Sequence, residues 1–139
     1  MKFQIAADRR LVHETVIPIR WSDVDANGHV NNVTYFDYFE VVRLDWLQSI
    51  GFQPTPRGDR PVITDAFCNF LQQIRFPGDL LAKLYVAHVS PSSFEAVVTL
   101  ERVDAPGAVQ AEGSATVIWS EPGTPLPVAY PDWLRPRLL

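Results

Sequence analysis

The chain has one cysteine, one methionine and seven glycines in 139 residues, and no apolar run long enough to span a bilayer. A single thiol, Cys68, permits no internal disulfide and no cysteine-based zinc site. The start, MKFQIAADRR, lacks the apolar stretch of a secretory leader. A reducing cytoplasm is therefore the expected setting, with no membrane anchorage. Basic residues are also scarce: 12 Lys and Arg stand against 16 Asp and Glu, for a net charge of −4 without a basic run. That balance excludes the electrostatic footprint of a nucleic-acid binder, so an anionic ligand must be met locally by a few side chains or by helix N-termini. What remains, with 47% hydrophobic and 20% charged residues, is the composition of one globular domain spanning 1–139.

From Leu11 to Arg20 apolar and polar residues alternate with a period of two, which predicts a first strand. Trp21 to Asn32, WSDVDANGHVNN, is dense in Asp, Asn, Ser and Gly and reads as a loop. The period then lengthens: Tyr35, Phe36, Phe39, Val42, Trp46, Leu47 and Ile50 share one arc of a helix that Gly51 is placed to end. Phe52 to Arg60, with Pro54, Pro56 and Gly58, predicts a loose connection. Four strand-like stretches follow. In the first, Val62, Thr64, Ala66, Cys68, Phe70, Ile74 and Phe76 are expected to face one way, leaving Ile63, Asp65, Phe67, Asn69 and Leu71 on the other face. Leu80 to Val89, Phe94 to Val103 and Val109 to Trp119 complete the set, joined by short Pro- and Gly-containing turns that favour antiparallel neighbours. The last strand carries mostly small residues on one face (Val109, Ala111, Gly113, Ala115, Val117), which predicts the approach of something bulky, for which the aromatic helix is the candidate. The tail, 121–139, holds five of the twelve prolines and is expected to dock as an extended segment ending in a short turn. The layout is α+β: one long helix against a five-stranded antiparallel sheet.

Asp23, Asp25, Asn27, Gly28 and His29 lie within seven residues just before the helix start. A carboxylate beside the unpaired N–H groups of a helix N-terminus is half of a hydrolytic site, because the donors stabilise an oxyanion while the carboxylate attacks or activates water. Turn-building and capping explain the same residues without chemistry. The run D-x-D-x-N-G also opens like an EF-hand calcium loop, but Thr34 replaces the bidentate Glu at the twelfth position and a strand-like segment replaces the entering helix. No metal and no cofactor are expected.

The stretch IRWSDVDANGHVNNVTYFDYFEVVRLDWL resembles the active-site segment of hotdog-fold acyl-CoA thioesterases of the 4-hydroxybenzoyl-CoA thioesterase family, and VITDAFCNFLQQIRFPGDLL resembles that family's central strand and turn. The resemblance implies a single hotdog domain that hydrolyses acyl-CoA to free acid and CoA. It places the nucleophile or general base on Asp25, with Asp23 supporting the loop and Gly28 leaving room for the thioester. It places the oxyanion donors on backbone N–H groups near Asn31 and Asn32. The segment is also similar to the D-x-N-x-H-V-N-N run of plant-type acyl-ACP thioesterases, which supports Asn27 and His29 as site residues and leaves an ACP carrier as an alternative. A non-catalytic acyl-CoA-binding module is a further alternative. A hotdog hydratase fits less well, since His29 follows Asp25 by four with no intervening Pro.

Tyr35, Phe36 and Phe67 are the candidate walls of an apolar acyl pocket. Arg43 falls near the apolar arc of the helix, where an i,i+3 pair with Glu40 is the simplest expectation; Glu40 is also the fallback acid. His13 and His88 read as structural, Cys68 as a small core residue, and Arg75 and Lys83 as possible CoA-phosphate contacts. The resemblance implies a homodimer or homotetramer, with sites between subunits.

Overall fold

The change of period after Asn32 is realised as a helix. In the computed structural model, which describes residues 2–54, 58–124 and 126–139, α1 (Thr34–Ser49) buries Tyr35, Tyr38, Phe39, Val42, Trp46 and Leu47. Gly51, with φ +121°, ends it as expected. One position departs from the expected arc: Phe36 stays 38% exposed and Tyr38 is buried instead. Phe36 sits at the margin of the apolar stripe, whereas the Tyr38 hydroxyl is drawn inward by a buried acceptor, the Asp23 carboxylate, at 2.8 Å.

Five strands form one antiparallel sheet in the order β1-β3-β4-β5-β2, namely β1 (Arg10–Pro18), β2 (Arg60–Phe70), β3 (Asp79–Ala87), β4 (Ser93–Arg102) and β5 (Val109–Ser120). The short turn signals make β3, β4 and β5 a meander, and leave β1 and β2 as edges. The helix lies on one face, against β1, β3 and β4. Its aromatic side approaches β5 at the small residues. A Cβ on Gly113 would collide with the ring of Phe39 and with the Phe67 carbonyl, so glycine is what lets helix and sheet close together there.

The first of the four strands expected after the helix, β2, differs from expectation in two ways. It stops at Phe70 rather than running to Phe76, because the Leu71 and Gln72 N–H groups both donate to the Gln110 carbonyl (3.0 and 2.9 Å) and turn the chain out of the ladder. It also carries an irregularity between Ile63 and Asp65. Ala66, Cys68 and Phe70 pair with Ala115, Gly113 and Ala111 on the helix side, as expected. Beyond the bulge the phase reverses: Ile63 pairs with Val117 on the helix side and Val62 with Ile118 on the other. A second bulge, at Gln110, takes Val109 out of the small-residue face it was expected to share.

The tail crosses back over β5, where Val128 N–H donates to the Trp119 carbonyl at 2.8 Å, and ends in α2 (Arg135–Leu138). Tyr130, Leu134 and Leu138 join the core, and Trp133 packs on Trp119 and Phe52. Pro56 and Pro125, counted in the connection and tail above, lie outside the described residues. No helix among the described residues is long and apolar enough to cross a membrane.

Candidate active site

The loop between β1 and α1 is held from inside by Asp23, which is 3% exposed. Its carboxylate accepts from the Arg20 backbone N–H (2.9 Å), the Arg20 guanidinium (2.9 Å) and the Tyr38 hydroxyl (2.8 Å). Burial alone would raise this carboxyl, but those hydrogen bonds and the Arg20 charge outweigh it and hold Asp23 below the usual carboxylate range. The Asp23 carbonyl in turn accepts the Asn31 N–H at 2.9 Å. Asp23 is thus occupied with structure.

Asp25 has a different setting. It is exposed, and its Oδ1 accepts the N–H groups of Asn27 (2.8 Å) and His29 (3.2 Å). Its backbone N–H donates to the His29 carbonyl at 2.8 Å and its carbonyl accepts from Gly28 at 3.1 Å, so the turn closes on itself. Gly28 has φ +77° with no protein atom within 4 Å of a Cβ placed there. The turn's backbone conformation, rather than protein crowding, calls for glycine. Among the described residues Oδ2 of Asp25 has no hydrogen-bond partner, and neither does the buried Nε2 of His29.

The loop is tied to the segment after β2. Val30 N–H donates to the Ile74 carbonyl (2.8 Å), Phe76 N–H to the Gly28 carbonyl (3.2 Å) and Ile74 N–H to the Tyr35 hydroxyl (3.3 Å). Burial pushes the Tyr35 phenol above its ordinary range. At the helix start, Asn31 Oδ1 accepts from Val33 N–H and the Asn31 carbonyl accepts from Thr34 N–H. With the Asn31 N–H taken by Asp23, the backbone N–H of Asn32 is left without a partner among the described residues.

Asp25, His29, Asn32 and Tyr35 line one cavity of about 430 Å³, together with Val30, Phe70, Leu71, Gln72 and Gln73. Asn27 and Gly28 shape the turn beside it, and Asn31 holds the helix start. Phe36 and Phe67 are not brought in: Phe36 packs edge-on against Phe39, and Phe67 lies on the opposite face of the sheet, its ring tilted against that of Phe3 with centres 5.0 Å apart. Phe70, edge-on to Tyr35 at 4.9 Å, takes the wall position that Phe67 was expected to fill, because residues three apart on a strand, an odd spacing, face opposite ways. Phe70 and Leu71–Gln73 were hidden in the sequence by a strand pattern that runs straight through them.

A second cavity, of about 210 Å³, lies between the later half of α1 and β2, β4 and β5, with Glu40 and Arg43 in its lining. The expected Glu40–Arg43 ion pair does not form within 4 Å, and burial pulls the Arg43 guanidinium below its ordinary value. Burial likewise pushes the Cys68 thiol up to about 12, with Glu112 adding to the shift. Among the described residues no group of three or more His, Cys, Asp or Glu could hold a metal ion.

A five-stranded antiparallel sheet with one main helix is the layout of the hotdog thioesterases. The chain belongs to the thioesterase-like superfamily, which it matches over residues 19–138. It is similar to the PA2801 protein of Pseudomonas aeruginosa, with 28% identity, a TM-score of 0.88, and 94% of this chain and 100% of that one covered. It is also similar to a DHNA-CoA thioesterase from Staphylococcus aureus, with 25% identity, a TM-score of 0.77, and 88% and 85% of the two chains covered. A curated relative, the uncharacterized protein YsmA of Bacillus subtilis, is 33% identical over 58 residues. That match takes in 42% of this chain and 40% of the relative.

Proposed function

We propose that the protein is an acyl-CoA thioesterase that uses Asp25 as its catalytic carboxylate. The observation that carries this reading is the division of labour on Asp25: Oδ1 is pinned by two backbone N–H groups, while Oδ2 is unpartnered in a residue that lines the cavity. A carboxylate so oriented is ready to act without first breaking a protein contact. Either Oδ2 attacks the thioester carbon, expelling the CoA thiolate and leaving a mixed anhydride for water to cleave, or it takes a proton from water as that water attacks. Both routes put negative charge on the carbonyl oxygen, and the free Asn32 N–H at the start of α1 is the donor for it, a contact worth about 3 kcal/mol in such sites.

Asn27 orients Asp25 through its backbone. His29, which lines the same cavity, is assigned to the water or the leaving thiolate. Tyr35 and Phe70 form the acyl wall. Similarity to a protein that acts on a CoA thioester supports the carrier assignment. We further propose a homodimer or homotetramer, supported by the edge position of β2 and the exposed Val62, Ile63 and Phe70 along it.

The test is thiol release from acyl-CoAs of increasing chain length, plus benzoyl- and hydroxybenzoyl-CoA, by wild type and Asp25→Asn. A fall of about 10²-fold or more in kcat with an unchanged circular dichroism spectrum is expected. Tight binding without turnover in the wild type would make the protein a binding module and overturn the proposal.

A further inference from the structure

At the end of α1 remote from the Asp25 loop, β1 and α2 come together around a cavity of about 300 Å³. The 16 residues of the helix set it about 24 Å from the proposed catalytic end. Arg10, His13 and Arg137 are the ionisable residues of its lining, with no Asp or Glu among them. In a chain of 16 acids and 12 bases, that gathering runs against the overall charge. The Arg10 guanidinium donates to the Arg137 carbonyl at 2.7 Å, which brings the two arginines together and leaves its other N–H groups unspent. Among the described residues the Arg137 side chain makes no hydrogen bond, and neither arginine has a carboxylate within 4 Å. His13 is engaged through Nε2 by Asp45 at 2.6 Å.

Capping of α1 does not account for the arginines. The Trp46 carbonyl accepts from Ile50 N–H (3.2 Å) and Ser49 Oγ (2.6 Å), that of Leu47 from Phe52 N–H (2.9 Å) and that of Gln48 from Gly51 N–H (3.3 Å). The helix end is thus closed by its own chain.

We propose that this cavity binds a phosphate monoester with an apolar body, at a site separate from that of the thioester. Guanidinium groups present forked donors that match phosphoryl oxygens, and a dianion between the two arginines removes their mutual repulsion. The rest of the lining decides in favour of an ester over free phosphate. Both arginines are exposed, whereas Trp46 is 4% exposed and Val12 and Ile50 are half-buried, so charge stands at the mouth and apolar surface at the base. Inorganic phosphate would leave that base unused.

Calorimetric titration of the full chain with phenyl phosphate, adenosine monophosphate and inorganic phosphate tests this. Each ester is expected to bind once per chain and about 10-fold or more tighter than inorganic phosphate, because only the esters reach the apolar base. Arg137→Gln, which removes no hydrogen bond within the protein, is expected to weaken both esters about 10-fold or more. Equal affinity for esters and inorganic phosphate would make the cavity a plain anion patch and overturn the proposal, as would esters that bind Arg137→Gln as they bind wild type. CoA carries a phosphate monoester on its ribose and is the other source of this chemistry. An unchanged KM for acyl-CoA in Arg137→Gln is expected, and a raised KM would put the carrier's own phosphate in the cavity and overturn the separate site.

Discussion

The hydroxyl of Tyr38, one turn inside α1, donates to the buried carboxylate of Asp23 at 2.8 Å and so bolts the loop to the helix that follows it. Through this bond the two acids of the D-x-D motif diverge: Asp23 is spent on architecture, and Asp25 is left with a free oxygen.

Asp23→Ala leaves the Tyr38 hydroxyl buried without its acceptor and is expected to cost about 2 kcal/mol, read from urea unfolding. The same carboxylate makes stability pH-dependent. Its folded pKa lies below its unfolded value of about 3.9, so its contribution is complete above that value and is lost as pH falls through the folded pKa. Unfolding curves from pH 6 to pH 2 should fall more steeply for wild type than for Asp23→Asn.

The oxyanion donor proposed at Asn32 is a backbone group. Asn32→Ala should therefore keep kcat within about 10-fold of wild type, whereas Asp25→Asn loses about 10²-fold or more. A collapse of thiol release in Asn32→Ala would shift the role to the amide side chain.

Gly113→Ala places a methyl group against the Phe39 ring and the Phe67 carbonyl. Overpacking of this kind costs about 1–3 kcal/mol. Phe39→Leu in the same chain should recover part of the loss in chemical denaturation, since the ring is one of the two obstacles.

Cys68 is buried and its thiol is pushed up to about 12, so almost no thiolate exists near neutrality. Labelling by a disulfide reagent at pH 8 should be slow in the native protein and complete within the mixing time in denaturant. Fast native labelling would mean that the helix and sheet part readily around it.

The order of elements, the helix and its glycine stop, the turn-joined meander and the polar loop at 23–32 were all legible along the chain. Each is written in local signals: a change of period from two to 3.6, Pro-Gly punctuation, and Asp, Asn and Gly clustered before a helix start. The small residues of β5 even announced the approach of an aromatic helix. Only the tertiary structure decided the rest. The bulge after Ile63 reversed the facing of the residues before it, and a one-residue slip of this kind leaves no mark in a periodic pattern. Phe70 rather than Phe67 came to the cavity wall, Tyr38 displaced Phe36 on the buried arc, and Arg43 was left without Glu40. The segment before β1 found Asn69, 66 residues away, across the back of the sheet. Local propensity sets which residues form a helix or strand. Contacts between residues far apart in sequence form only when the chain closes, and here they determine which side chains share a cavity.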